Sequence, residues 1–221
     1  MTKIMFKPEE FRSVVSVGVA ASTDDVTPVI MSVNISVSEA GEVTAVATDR
    51  YRIARVIFTP KMDEAVIGGE DSILISAKDL TKFWNSIKAV AIKSHIPVTL
   101  FIEEDLQYPN SKIYTIEYDG SRVQGRSVLG QFPPVEKLMT GYDLDDCAGV
   151  PAVALKPSFL GDLAKMYHPR DDNRIKMSDV AWQFRFKTTE SKKPGPVYIT
   201  RGSDIAGATL DYLVQPNLLL R

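Results

Sequence analysis

The chain has 221 residues, 44% of them hydrophobic and 24% charged, with a formal net charge of -2 at pH 7. That length holds one large domain or two small ones with an adequate core, and with no apolar run of about 18 residues it excludes a membrane-spanning helix. A single cysteine, Cys147, excludes an internal disulfide and a cysteine-rich zinc site, and two histidines, His95 and His168, leave little for histidine-based metal binding or acid–base work.

Thr2 to Phe6 reads as a short strand. Pro8-Glu9-Glu10 then places a proline and two acids where the first turn of a helix favours them, and Phe11, Val14, Val15, Val19 and Ala20 follow at helical spacing. No basic stretch leads into an apolar segment here, so secretion is not expected. After a polar loop at residues 22–28, Val29 to Val37 alternates as a strand, and Glu39 to Glu42 turns it into VTAVATDRYRIARVIFTP, residues 43–60. Val43, Ala45 and Ala47 belong to one strand of that stretch, and Tyr51, Ile53, Val56 and Phe58 to the next. The corner between them carries Asp49, Arg50 and Arg52, with Arg55 close behind. It is either a solvated hairpin tip or the rim of a binding groove. The first sixty residues are β-α-β-β-β.

A loop with Gly68-Gly69 precedes a second pass. Ser72 to Ile75 is a strand, Ser76 an N-cap with Asp79 three residues on, and Leu80, Phe83, Trp84, Ile87 and Ala91 an apolar helical face. Val98 to Ile102, Lys112 to Tyr118 and Ser121 to Leu129 are strands, the last two joined at the hairpin signal Asp119-Gly120. Two such units, with antiparallel strands, predict one sheet behind two helices. Gly130 to Leu144 is a rigid crossing segment through Phe132-Pro133-Pro134. A third pass follows: an extended Ala152 to Leu155, a helix opened by Pro157 with Phe159, Leu160, Leu163 and Met166 inward, and strands at 175–180, 181–188, 197–200 and 208–214, with a loop at Lys192 to Pro196.

The predicted helices gather positive charge. Residues 76–93 hold Lys78, Lys82, Lys88 and Lys93 against Asp79 alone, and residues 156–176 hold Lys156, Lys165, Arg170, Arg174 and Lys176 against three aspartates; the first helix adds Lys7 and Arg12. These are either solvated outer faces or a surface for phosphates, because a partner feels the local field and not the total charge. No phosphate loop, G-x-S-x-G, H-E-x-x-H or C-x-x-C motif is present, and the acidic runs Glu103-Glu104-Asp105 and Asp143/Asp145/Asp146 have no ligand geometry. An enzyme, a metal site and a cofactor are not expected.

Three segments together resemble a family. PVIMSVNISVSEAGEVTAVATDRYRIA (28–54) is similar to the middle domain of bacterial-type DNA polymerase sliding clamps, GQFPPVEKLM (130–139) to their G-x-F-P segment, and DYLVQPNLLLR (211–221) to their last strand and tail. The resemblance implies an α+β DNA-clamp fold of repeated β-α-β-β-β units, with antiparallel sheets outside and helices on the inner face. It implies that residues 1–140 form a complete two-unit domain like the family's middle domain and residues 141–221 a single-unit half domain. It implies a peptide-binding groove of Thr48, Arg50, Tyr51, Arg52 and Ile53 from the corner, Pro133, Lys137 and Leu138 from the crossing segment, and Leu213, Val214, Gln215, Pro216, Asn217 and Leu218 from the tail. Lys7, Arg12, Lys78, Lys82, Lys88, Lys93, Lys165, Arg170 and Arg174 would face DNA. The chain departs from the family at Gln215, where methionine is usual, at Leu218, where arginine is usual, and in having three units instead of six.

The function so implied is that of a processivity factor: a homo-oligomer that encircles duplex DNA and docks linear peptides of a DNA polymerase, and of a clamp loader, in the groove. The family's ring has twelve units, so three per chain predicts a tetramer. The resemblance further implies a cytoplasmic protein, with a phage-encoded short form as one source. The alternative is a clamp-derived interaction module that keeps the groove without encircling DNA, told apart by its mass in solution.

Overall fold

The computed structural model of the chain describes residues 1–24, 26–62, 64–139, 155–169, 181–188, 194–201 and 208–215. The strand expected at 175–180, and all but the last residue of the extended segment at 152–155, lie outside them. Alternating burial makes Thr2–Phe6 a strand, β1, and Pro8 turns the chain into helix α1, Pro8–Ser16. The fully buried Glu10 fixes that start. Its carboxylate accepts the N–H of Lys7 at 3.0 Å, one arm of a capping box, and the N–H of Lys61, 51 residues on, at 3.0 Å. The expected single helix to Ala20 instead tightens after Ser16 into a 3-10 turn, Val17–Ala20. Gly18 sits in that turn where a Cβ would come within 3.2 Å of Ala77, so the two helical segments approach closely.

The remaining elements are β2 (Ser32–Val37), β3 (Val43–Thr48), β4 (Arg52–Phe58), β5 (Val66–Ile67), β6 (Asp71–Ser76), α2 (Ala77–Ala91), β7 (Val98–Glu104), β8 (Lys112–Tyr118), β9 (Ser121–Arg126), α3 (Glu136–Met139), α4 (Pro157–Leu163), β10 (Gln183–Thr188), β11 (Pro194–Arg201) and β12 (Ala208–Val214). Ser76 caps α2 as expected, its Oγ accepting the Asp79 N–H at 3.4 Å. Several expected bounds shift for local reasons. Pro28–Met31 is a 3-10 turn and β2 begins only at Ser32, because Pro28 fixes the turn and Ile30 points inward. β9 stops at Arg126, where the chain crosses to the other sheet and the Val128 N–H reaches Leu74 O at 2.9 Å. The expected loop at 192–196 contains the start of β11. Its prolines are accommodated where the register with β10 shifts between Phe186 and Thr188. Leu160 is not inward: it is 39% exposed, while Leu163 and Met166 are buried.

The largest correction is in the sheets. One sheet behind two helices was expected from the pattern, and the structure has two: β5-β1-β7-β8-β9 and β10-β11-β12-β4-β3-β2-β6. The first two units exchange their leading strands. β1 leaves its own unit to pair with β7, from Thr2↔Ile102 to Phe6↔Val98, and β6 leaves its unit to pair with β2, from Ser32↔Ser76 to Val37↔Asp71. Each helix therefore crosses between sheets. α1 and α2 pack together over the exchange, with Phe11 edge-on to Phe83 at 6.0 Å and tilted against Trp84 at 6.2 Å and Phe6 at 5.8 Å. The third unit joins the first through β12, antiparallel to β4 from Ala208↔Phe58 to Val214↔Arg52. One core holds side chains of both sheets and the helices, and a second, smaller cluster of Val46, Ile53, Val135, Met139 and Leu213 lies on the opposite face of the seven-stranded sheet.

Candidate functional site

The Thr48–Arg52 corner between β3 and β4 is held by its own side chains. Thr48 Oγ1 donates to Arg52 O at 2.8 Å and accepts the Arg50 N–H at 3.2 Å. Asp49 Oδ1 accepts the N–H groups of Tyr51 and Arg52, each at 3.0 Å, and its Oδ2 takes Arg52 Nε at 2.9 Å. With these groups satisfied, Arg50 is held at φ +77°, a left-handed conformation uncommon outside glycine. Its guanidinium then reaches Thr27 Oγ1 at 2.9 Å, and the Tyr51 ring is left 66% exposed. The corner is thus a rigid, sculpted edge of the sheet.

Two other segments meet it. β12 lies beside β4 with Leu213 opposite Ile53, and the chain just beyond is tied to the corner by the Gln215 N–H on Tyr51 O at 3.0 Å. Residues 132–139 cross the same sheet face, where Val135 and Met139 bury against Val46, Ile53 and Leu213. A cavity of about 150 Å³ remains between the three. Thr48, Arg50, Tyr51, Arg52 and Ile53 border it from the corner, Pro133 and Leu138 from the crossing segment, and Leu213 and Gln215 from the tail. Its floor is aliphatic and prolyl; arginines and a tyrosine form its edge. Leu138, 59% exposed, is a large apolar side chain offered to solvent at the rim.

Not every expected residue lines it. Val214 is fully buried in the main core, because alternation along β12 sends it to the other face from Leu213. Lys137 is exposed but does not border the cavity. Pro216, Asn217 and Leu218 lie outside the described residues. Val135 and Pro196 line the cavity and were not expected to. Val135 was legible as the first apolar residue after Pro133-Pro134. Pro196 was hidden by its reading as a loop.

Ion pairs, most of them buried, brace the sheet beneath. The Arg52 guanidinium also pairs with Asp162 of α4 and lies over the Phe159 ring at 5.2 Å; Asp162 further accepts Tyr212 Oη at 3.3 Å and Lys165 Nζ at 3.0 Å. Burial disfavours the Arg52 charge, but Asp49 and Asp162 outweigh it and hold its pKa above the ordinary value, while burial and the Asp162 charge push the Tyr212 hydroxyl up. On the groove side of the sheet, Arg55 pairs with Asp211 at 2.7 Å and with Glu136 of α3 at 2.7 Å, and Asp211 accepts Tyr198 Oη at 2.6 Å and Thr200 Oγ1 at 2.8 Å. α3 is thereby clamped to the strands that floor the cavity.

The residues expected to face DNA are placed unequally. Lys78 and Lys82 are exposed on the side of α2 away from Leu80, Phe83, Trp84 and Ile87, and Lys88 is exposed on the flank beside Trp84, with Lys82 3.9 Å from Asp79 and Lys88 bonded to Asn85 at 2.9 Å. Lys93 is exposed just past that helix. Lys7 and Arg12 are half-buried, Arg12 stacked 3.1 Å from the Tyr167 ring centroid, and Lys165 is exposed but paired with Asp162. Arg170 and Arg174 lie outside the described residues. Among the described residues no group of acids, histidines and cysteine has the makings of a metal site, and no helix is long and apolar enough to cross a membrane.

Comparison with known proteins gives one consistent result. The family described as DNA polymerase III beta subunit, central domain, matches residues 6–134. The fold is shared with the DNA polymerase III subunit beta of Borrelia burgdorferi (TM-score 0.67, 11% identity, 98% of this chain and 63% of that one). It is shared too with the DNA polymerase III subunit beta of Pseudomonas aeruginosa (TM-score 0.64, 12% identity, 98% and 66%) and with the sliding clamp of Bacillus subtilis (TM-score 0.51, 17% identity, 97% and 49%). The chain spans about half to two thirds of the length of these proteins. No curated protein matches it.

Proposed function

The chain belongs to the DNA polymerase III beta subunit family through its central domain, and we propose from that premise that it is a clamp-like processivity factor, not an enzyme. Several copies would assemble around duplex DNA and hold a polymerase there by a linear peptide. In this reading residues 1–140 are a complete two-unit domain and residues 141–221 half of another. Three units per chain favour four chains in a ring of twelve. The helices would face the DNA, with Lys78, Lys82, Lys88 and Lys93 meeting phosphates without regard to sequence.

One observation carries the proposal. Three segments far apart in the chain converge on one apolar cavity with a cationic edge, bordered by Ile53, Pro133, Leu138 and Leu213 and by Arg50. Such a cavity suits the apolar side chains of an extended peptide, and Arg50 suits its carboxylates. Titration of labelled linear peptides from replication polymerases tests it. Leu138→Asp, at an exposed position and so harmless to the fold, is expected to weaken binding about tenfold, because it removes an apolar contact and sets a carboxylate against the peptide's own acids. Lys137→Ala, outside the cavity, is expected to change it little. Equal affinity of Leu138→Asp and the parent would remove the groove from the account.

The short length favours a second reading. A chain covering about half to two thirds of its structural relatives is also a candidate for a module that keeps the groove and does not encircle DNA. It would be monomeric or an open dimer at micromolar concentration.

A further inference from the structure

β4 and β9 hold the same place in their units. Each is the last of three consecutive antiparallel strands, at the end of the run away from the exchanged strand. Their outer edges differ. That of β4 is taken by β12, itself the last strand of the third unit, antiparallel over its whole length. Beyond β9 no strand lies among the described residues, so Ser121–Arg126 ends its sheet with one row of backbone N–H and C=O groups facing outward. The helix side repeats the contrast. Beside β4, the segment after α4 packs on α1, its Tyr167 N–H on Ser16 Oγ at 3.2 Å and its ring under Arg12. Beside β9, the matching flank of α2 is an open cleft of about 530 Å³ reaching Phe83, Tyr114 and Val123.

We propose that this edge and cleft are the interface with a second copy of the chain, the two β9 strands pairing antiparallel about a two-fold axis normal to the sheet. The argument is the chain's own precedent. A last strand takes a last strand, antiparallel, and β9 is the one last strand left with an open edge among the described residues. A two-fold makes the pairing self-complementary and closed. It also keeps both α2 helices on one side of the joined sheet. The charges permit it, since Arg122 is met by Glu117 at 3.4 Å and Arg126 by Asp105 at 2.8 Å, so two copies do not oppose bare cations. Gly125 keeps the strand low, because a Cβ there would collide with the Tyr114 ring. β10 also ends its sheet among the described residues, but as the first and not the last of its three consecutive strands. Pairing β9 with it would join a last strand to a first one, an arrangement found nowhere among the described residues. This interface stands whether or not the assembly surrounds DNA.

Single-cysteine crosslinking tests it in the full chain. In a Cys147→Ser background, Gln124→Cys puts one thiol at the exposed middle of β9, Phe184→Cys one on β10, and Lys88→Cys one on the exposed flank of α2. Mild oxidation at micromolar concentration is expected to convert Gln124→Cys to a disulfide-linked dimer at least tenfold faster than Lys88→Cys. A mixture of Gln124→Cys and Phe184→Cys chains of different tag length is expected to give little mixed product. Melting of each variant like the parent confirms the fold. Gln124→Cys crosslinking no faster than Lys88→Cys, or reacting preferentially with Phe184→Cys, would overturn the two-fold interface.

Discussion

Arg52 shows how one side chain can be structural and still border a site. Its guanidinium is shared between Asp49 and Asp162, and only its flank reaches the cavity. Read as a rim cation, it would cost a peptide little on removal. Read from its partners, it costs the protein more, because Asp162 is 4% exposed and would keep only Lys165 and Tyr212. Arg52→Ala is therefore expected to lower unfolding free energy in urea by about 3 kcal/mol, the loss when one partner of a buried pair is taken away. A loss below about 1 kcal/mol would mark the pair as dispensable. The corner's residues were legible because their role is local: Thr48 and Asp49 satisfy backbone groups two to four residues away. Asp162 as the partner of Arg52 was not legible, since 110 residues separate them. Val214 was misplaced for a related reason, as a motif names neighbours while a strand sends them to opposite faces.

Among the elements, most strands and the β8–β9 hairpin were legible, but β5, inside an expected loop, and the pairings between units were not. Periodicity reports which face of a strand is buried, and β1 and β6 alternate equally well in either sheet. The exchange is instead held by contacts across it. Lys112 of β8, in one sheet, pairs with Asp71 of β6, in the other, and donates to Ser72 O at 3.1 Å. Burial alone would raise the Asp71 carboxyl, but hydrogen bonds from Lys112 and Thr2 and the Lys112 charge outweigh it and hold its pKa below the ordinary 3.8. A carboxylate with a depressed folded-state pKa stabilises fully above its unfolded value and loses that contribution as pH falls through the folded one. Thermal melts between pH 7 and pH 2 are thus expected to show Asp71→Asn less stable than the parent at neutral pH, with the gap closing below about pH 4. A gap that is constant across that range would mean the ionised pair contributes nothing to joining the sheets.

For the molecule as a whole, fold and family were legible from three short segments, and the assembly was not. The family match, to a central domain, ends at residue 134, yet the likeness of fold runs through 98% of the chain. Among the described residues the seven-stranded sheet ends at β10 and the five-stranded sheet at β9, each with a free backbone edge. In the proposed reading, further copies pair with those edges and close a ring. The most direct measurement of that claim is retention on nicked circular duplex DNA, by size exclusion, before and after the circle is cut. At concentrations where light scattering shows the oligomer, the protein is expected to travel with the circle and to be released when it is linearised. Charge reversal of Lys78, Lys82 and Lys88 should weaken retention without unfolding the chain. Failure to be held by the circle, or equal retention on circular and linear DNA, would contradict encirclement and leave the module that only docks peptides.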